Sequence, residues 1–262
     1  MAERKYKIVM IGAGNMATHL GLALYQKKQV IVQVCSKRKT SSEALAKKLN
    51  CKATTSLAKI DTTADVYIIA TNDDSIASIA DELKLQNKIV VHTSGSIEMK
   101  VLKHCSKNVG VFYPLQTFSK TRKVDFDKVP VCIEANNKAT LETLMMLAKK
   151  VSKRVVKIDS EQRKLIHLSA IFANNFTNHL LHIAEELLLT HQLPFDLLQP
   201  LITETLNKTE HHSPMDVQTG PAKRGDTKTM KTHLSLLAEH KDYQELYKLL
   251  SISIGKAAKR NK

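Results

Sequence analysis

The chain has 262 residues, 43% of them hydrophobic, and a formal net charge of +15. That is enough apolar material for one large or two ordinary packed domains, and no apolar run approaches the roughly 20 residues of a membrane span. Its 40 Lys and Arg are spread over the whole length with only 5% aromatic residues, so the charge forms no aromatic-interleaved basic stretch and nucleic acid is not expected as a partner.

The first elements lie in Tyr6–Leu24. Ile8–Ile11 is a short continuous apolar run, the mark of a strand buried on both faces. Met16, Leu20, Ala23 and Leu24 then recur at helical spacing. Further strands are predicted at Val30–Cys35, Val66–Ala70, Lys88–His92, Asn108–Phe112, Val129–Glu134 and Arg154–Ile158. Helices are predicted between them at Ser41–Leu49, opened by a Thr40/Glu43 capping pair, and at Ser75–Leu83, Ile97–Cys105 and Thr140–Ser152. This alternation implies a mostly parallel sheet covered by helices.

From Ser160 onward the period changes and no strand is expected. Glu161–His191 reads as one long helix, apolar along Leu165, Leu168, Phe172, Phe176, Leu180 and Ile183. Phe195–Asn207 follows, then a loop over Thr209–Gly225, then helices near Asp226–Glu239 and Asp242–Ile254, the last with Asp242 and Glu245 as a capping pair. The expected fold is α/β: a Rossmann-type, mostly parallel sheet over residues 1–158 and an all-α domain over 159–262 for substrate binding and dimerisation.

The chemistry begins at the first turn. Gly12-Ala13-Gly14-Asn15-Met16-Ala17 is a G-x-G-x-x-A fingerprint between a strand and a helix. Gly12 suits the tight turn, Gly14 leaves room for a pyrophosphate, and Ala17 permits close helix–strand packing. Phosphates would meet the free N–H groups of the helix start, at Gly14, Asn15 and Met16. The second strand ends in Cys35-Ser36-Lys37-Arg38. A carboxylate there would favour NAD; its absence, with Ser36, Lys37 and Arg38 in place to hold a 2′-phosphate, favours NADP(H).

Three more polar turns follow strands, where open parallel sheets bind ligands. Thr71 and Asn72 face the cofactor ribose in this reading. Ser94 and Gly95 line the nicotinamide side, with Ser96 and Gln116 toward substrate; Ser96 also suits a helix N-cap before Ile97. His92 lies inside a strand pattern and reads as a core histidine. Cys35, Cys51, Cys105 and Cys132 are scattered without metal spacing, and no metal is expected. The opening MAERKYK carries no signal-peptide pattern, so a cytoplasmic location is expected.

IGAGNMA resembles the opening of pyrroline-5-carboxylate reductases, and the two-domain plan resembles the 6-phosphogluconate dehydrogenase-like superfamily. HTSGS (His92–Ser96), FYPLQTFS (Phe112–Ser119), HLSAIFANNFTNHL (His167–Leu180) and TGPAKRGD (Thr219–Asp226) are similar to a bacterial family that joins a Rossmann-like domain to a C-terminal helical domain of unknown function. Members of that family are called NADP oxidoreductases. In related hydroxyacid dehydrogenases a K-x-x-N-N pattern marks the catalytic helix. Matching it to Ile171–Asn175 puts isoleucine at the lysine position. His167, one turn earlier, is the substitute acid, with Asn175 orienting substrate and Arg224 clamping a substrate carboxylate.

The resulting expectation is a homodimeric, NADP-dependent oxidoreductase that reduces a small carboxylated carbonyl or imine by hydride transfer. A pyrroline-5-carboxylate or ketopantoate reductase-like enzyme, and a non-catalytic NADP(H)-sensing protein, are the alternatives.

Overall fold

The computed structural model describes residues 4–260. The chain divides into two compact units, 1–171 and 172–262.

The first unit holds one eight-stranded sheet of order β3-β2-β1-β4-β5-β6-β7-β8. Its strands are β1 (Lys7–Ile11), β2 (Val30–Cys35), β3 (Lys52–Thr54), β4 (Val66–Ile69), β5 (Gln86–His92), β6 (Ser106–Pro114), β7 (Val131–Ala135) and β8 (Val155–Lys157). Neighbours pair in parallel except β6 with β7. The helices are α1 (Asn15–Gln26), α2 (Lys39–Leu49), α3 (Ile76–Glu82), α4 (Lys138–Val151) and α5 (Ser160–Ala170).

Successive residues of β1 serve opposite faces, as the pleat requires. Ile8 and Met10 pack with Leu20 and Leu24 of α1 and with Leu144 and Leu147 of α4. Val9 and Ile11 pack with Tyr67, Ile76 and Ile79 on the other face. β1 is flanked by β2 and β4, so chain connections leave it in both directions. That switch point opens a crevice at the carboxyl ends of β1 and β4, where the fingerprint turn sits.

Several elements differ from the sequence reading. The predicted helix Ile97–Cys105 is a single 3-10 turn, Met99–Leu102. β6 already begins at Ser106, which leaves too little chain for a longer helix. The short edge strand β3 was not predicted; three residues with no fully buried side chain carry no period to read. β7 reverses direction because the connection from β6 contains only a 3-10 turn, Phe126–Lys128, rather than a crossover helix. Thr40 caps nothing: α2 starts at Lys39, with Arg38 at the N-cap.

The long helix predicted over Glu161–His191 is interrupted. α5 opens with a capping box in which the Gln162 N–H donates to Asp159 and the Asp159 N–H donates to Gln162, a motif worth about 1 kcal/mol. A π segment, Ile171–Phe176, follows, and then α6 (Thr177–Leu189). A π turn inserts an extra residue, so the regular helical spacing expected between His167 and Asn175 does not run through it.

The second unit is helical throughout, with α6, α7 (Gln199–His211), α8 (Pro221–Arg224), α9 (Thr227–Leu236) and α10 (Lys241–Arg260). Asp226 caps α9 by accepting from the Thr229 N–H at 3.0 Å. α10 begins at Lys241, so Asp242 lies in its first turn. Tyr243 donates to Glu186, and His233 Nδ1 lies 2.8 Å from the Tyr247 hydroxyl. No helix among the described residues is long and apolar enough to cross a membrane.

Candidate functional site

The first turn is built for close approach. Gly12 has φ +117°, and a Cβ there would run into the Ala70 carbonyl, so only glycine fits. Its N–H donates to the Cys35 carbonyl at 2.7 Å, tying the turn to the end of β2. Gly14 is the N-cap of α1, and no side chain caps that helix start. A Cβ on Gly14 would meet nothing within 4 Å. The space in front of the turn is therefore open, while the helix dipole and its N–H groups favour an anion there. These features fit a dinucleotide diphosphate.

A cleft of about 1100 Å³ lies over this turn. Its walls bring together Gly12, Gly14, Asn15, Met16, Ser36, Lys37, Arg38, Thr71 and Asn72, with Ser41, Ser56, Ser75 and Lys120 beside them. The Cys35 thiol at its base is pushed up by burial, with Glu82 adding to the effect, so it stays neutral.

Ser94 and Gly95 are not part of that lining. They follow β5 and are buried. The Ser94 hydroxyl accepts from the N–H groups of Ser96 and Ile97, each at 3.0 Å. The Ser94 N–H donates to His92 Nδ1 at 3.2 Å. Ser94 thus closes the bend over Ser96 and Ile97, the 3-10 turn beyond it has Glu98 rather than Ser96 at its N-cap, and these N–H donors are engaged within the protein. His92 is fully buried, and burial, then the Arg163 charge, pushes its pKa down to about 3. It is a neutral core histidine.

Behind the loop sits Arg163 of α5, fully buried. It donates to the carbonyls of Ser94 and Gly95 at 3.0 and 3.1 Å and to Glu134 at 3.1 and 3.2 Å. Glu134 also accepts from the Ser160 hydroxyl at 2.6 Å. One guanidinium therefore joins β7, the loop after β5 and α5, which is why α5 groups with the sheet.

One turn beyond Arg163, His167 lies against Gly95. A Cβ on Gly95 would come within 2.6 Å of His167 Nδ1 and 2.9 Å of the Tyr113 ring. The Tyr113 hydroxyl is 3.0 Å from His167 Nδ1. Burial, then Cys132, pushes the Tyr113 phenol up to about 12. It stays protonated and can donate to Nδ1.

Gln116 is exposed and its Oε1 accepts from the Thr117 N–H at 2.8 Å. Asn175 and Arg224 are exposed on the helical unit, Asn175 within the π segment and Arg224 at the end of α8. Tyr113, Arg163 and Lys120 were missed by sequence reasoning. Arg163 left a trace, since a charged residue on a helix one turn before His167 must find a partner if buried. Tyr113 sat inside a recognised motif without an assigned role. Nothing local marks Lys120.

Residues 7–95 match the family described as NADP oxidoreductase coenzyme F420-dependent, and residues 129–254 match a domain of unknown function, DUF2520. A crystal structure from Bacteroides fragilis, assigned as an NADP oxidoreductase, is 44% identical with a TM-score of 0.90, covering 96% of this chain and 98% of that one. A Thermotoga maritima protein is 22% identical with a TM-score of 0.77, covering 96% and 99%. An imine reductase from Myxococcus stipitatus in complex with NADP+ is 14% identical with a TM-score of 0.66, covering 97% and 94%. These last two likenesses concern the fold alone. No curated protein matches the chain.

Proposed function

This chain belongs to the family of NADP oxidoreductases that couple a nucleotide-binding sheet to a DUF2520 domain, and we propose that it is an NADPH-dependent reductase of a small carboxylated carbonyl or imine. The observation that carries this reading is the His167–Tyr113 pair packed on Gly95. Donation from the phenol to Nδ1 places the imidazole proton on Nε2. That Nε2–H can hydrogen-bond to the oxygen or nitrogen of a C=O or C=N group and polarise it. In the imidazolium form, with protons on both ring nitrogens, His167 can pass the Nε2 proton to that atom and return to the neutral imidazole.

The cofactor, when bound, supplies the hydride. Gly12, Gly14, Asn15 and Met16 would hold its diphosphate, Ser36, Lys37 and Arg38 its 2′-phosphate, and Thr71 and Asn72 its ribose. Gly95 presents a bare Cα beside His167, and with Ser94 we assign it to the nicotinamide side. The Arg163 contacts make that loop rigid, so the reactants meet a preformed surface. For substrate we assign Ser96 and Gln116 to polar contacts, Asn175 to orientation and Arg224 to a carboxylate.

We further infer a homodimer formed through the helical unit. Among the described residues of 172–262, Ile183 and Leu237 are the buried apolar side chains, while Phe172, Leu189, Leu201, Leu206, Leu236 and Leu249 are each more than half exposed. A helical unit that buries so little needs a second surface to offset its ordering entropy, and a second copy supplies a self-complementary one.

The test is oxidation of NADPH across a panel of 2-oxo acids and cyclic imines that includes ketopantoate and pyrroline-5-carboxylate. Turnover with one of them is expected. His167→Asn should then lower kcat at least 100-fold and leave the NADPH Kd within about twofold. Unchanged turnover removes His167 from the mechanism. The isoleucine at position 171, where related dehydrogenases carry lysine, favours NADP(H) sensing as the second reading. Turnover with any panel member excludes sensing alone.

A further inference from the structure

The loop after β6, Leu115 to Lys123, is fastened along α1. Asn15 Nδ2 donates to the Phe118 carbonyl at 2.8 Å, and His19 Nε2 lies 2.8 Å from the Ser119 carbonyl. The His19 and Phe118 rings are 5.0 Å apart, and Phe118 stacks on Phe126 at 5.9 Å. Phe118 also packs against the core cluster that contains Leu20 and Leu24. The chain is therefore pinned on both polar and apolar sides just before Lys120.

Lys120 points back to the fingerprint turn. Its Nζ donates to the Ala13 carbonyl at 3.1 Å, across 107 residues of sequence. It also forms part of the cleft wall with Gly12, Gly14 and Asn15. The other cations of that wall, Lys37 and Arg38, follow β2. Among the described residues Lys120 has no carboxylate partner; it holds a neutral carbonyl that it can exchange for a stronger acceptor.

A diphosphate carries two negative charges, while a helix start offers the equivalent of about half a positive one. The turn alone leaves that charge incompletely matched. We propose that Lys120 is a diphosphate-binding residue, delivered to the glycine turn by the pinned loop and moving from the Ala13 carbonyl to the cofactor's phosphates. This rests on the cofactor reading above and is independent of substrate. Because the diphosphate is common to both nicotinamide dinucleotides, Lys120 acts on affinity and not on the choice between them.

Calorimetric titration of the full chain tests it. Lys120→Ala should weaken NADP+ and NAD+ by the same factor, about tenfold, leave 2′-AMP binding unchanged, and leave the melting temperature unchanged; Lys120→Arg should restore most of the affinity. Arg38→Ala supplies the contrast, weakening NADP+ and 2′-AMP while sparing NAD+. Unaltered NADP+ affinity in Lys120→Ala overturns the proposal. So does a loss confined to NADP+ and 2′-AMP, which would move Lys120 to the 2′-phosphate. Wild-type protein that binds neither dinucleotide overturns the cofactor reading and this proposal with it; a wild type that binds both with Lys120→Ala unchanged overturns this proposal alone.

Discussion

In the unit 1–171 both faces of β1 are covered, Ile8 and Met10 by one set of helices and Val9 and Ile11 by another. In the unit 172–262, Leu201, Leu236 and Leu249 stand open to solvent at 64, 75 and 67% exposure. A parallel sheet buries its strands from two sides within one chain, so its core is complete. A few helices cover only part of each other's apolar stripes, and the remainder asks for a partner. The sheet unit differs in a second way, because its interior holds buried polar groups: Arg163 is paired with Glu134, and His92 accepts from the Ser94 N–H at Nδ1 while its Nε2 has no partner among the described residues.

The largest test of this contrast is Arg163→Met. It leaves Glu134 without its cation and the Ser94 and Gly95 carbonyls without donors. Unfolding in urea should show a loss of about 3–5 kcal/mol. Arg163→Met combined with Glu134→Leu should recover a large part of it, since the unpaired charge is then gone. A loss below about 1 kcal/mol would mean that the sheet unit does not depend on this network.

The second test addresses the open face. On the proposed dimer, Leu201→Glu with Leu249→Glu should raise the dimer dissociation constant about 100-fold or more, about 2.7 kcal/mol, as read by sedimentation across a dilution series. A wild type that sediments as a monomer at every concentration would end the proposal that a second copy covers this face.

The third test reads a slope with pH. His92 has a folded pKa of about 3 against 6.5 for the free group. Between these values the unfolded chain binds a proton that the folded chain refuses. Stability must therefore fall as pH drops from 6.5 toward 3, by up to about 1.4 kcal/mol per pH unit from this group. Stability measured at pH 7, 6, 5 and 4 should decline less steeply in His92→Gln than in wild type. Parallel profiles would show that His92 becomes protonated in the native state.

Much of the fold was legible because its signals are local. The run Ile8–Ile11 and the spacing of Leu20 and Leu24 can be satisfied only by a buried strand and a packed helix, and both are found. The turn at Gly12 was legible for the same reason: a conformation that excludes a Cβ leaves glycine in the sequence. The failures are also local in origin. Ile97–Cys105 has helical spacing, but spacing does not report that the next strand starts at Ser106. The π segment at Ile171–Phe176 breaks a period that the sequence continues through it.

By itself, then, the sequence determined the alternating sheet-and-helix order, the glycine turn and the basic end of β2, all of which arise from neighbours along the chain. Tertiary structure alone decided that Arg163 meets Glu134, that Tyr113 meets His167 over Gly95, and that Lys120 returns to Ala13. Those pairs are separated by 29, 54 and 107 residues. Their contacts follow from strand order and loop anchoring, which no spacing between near neighbours encodes.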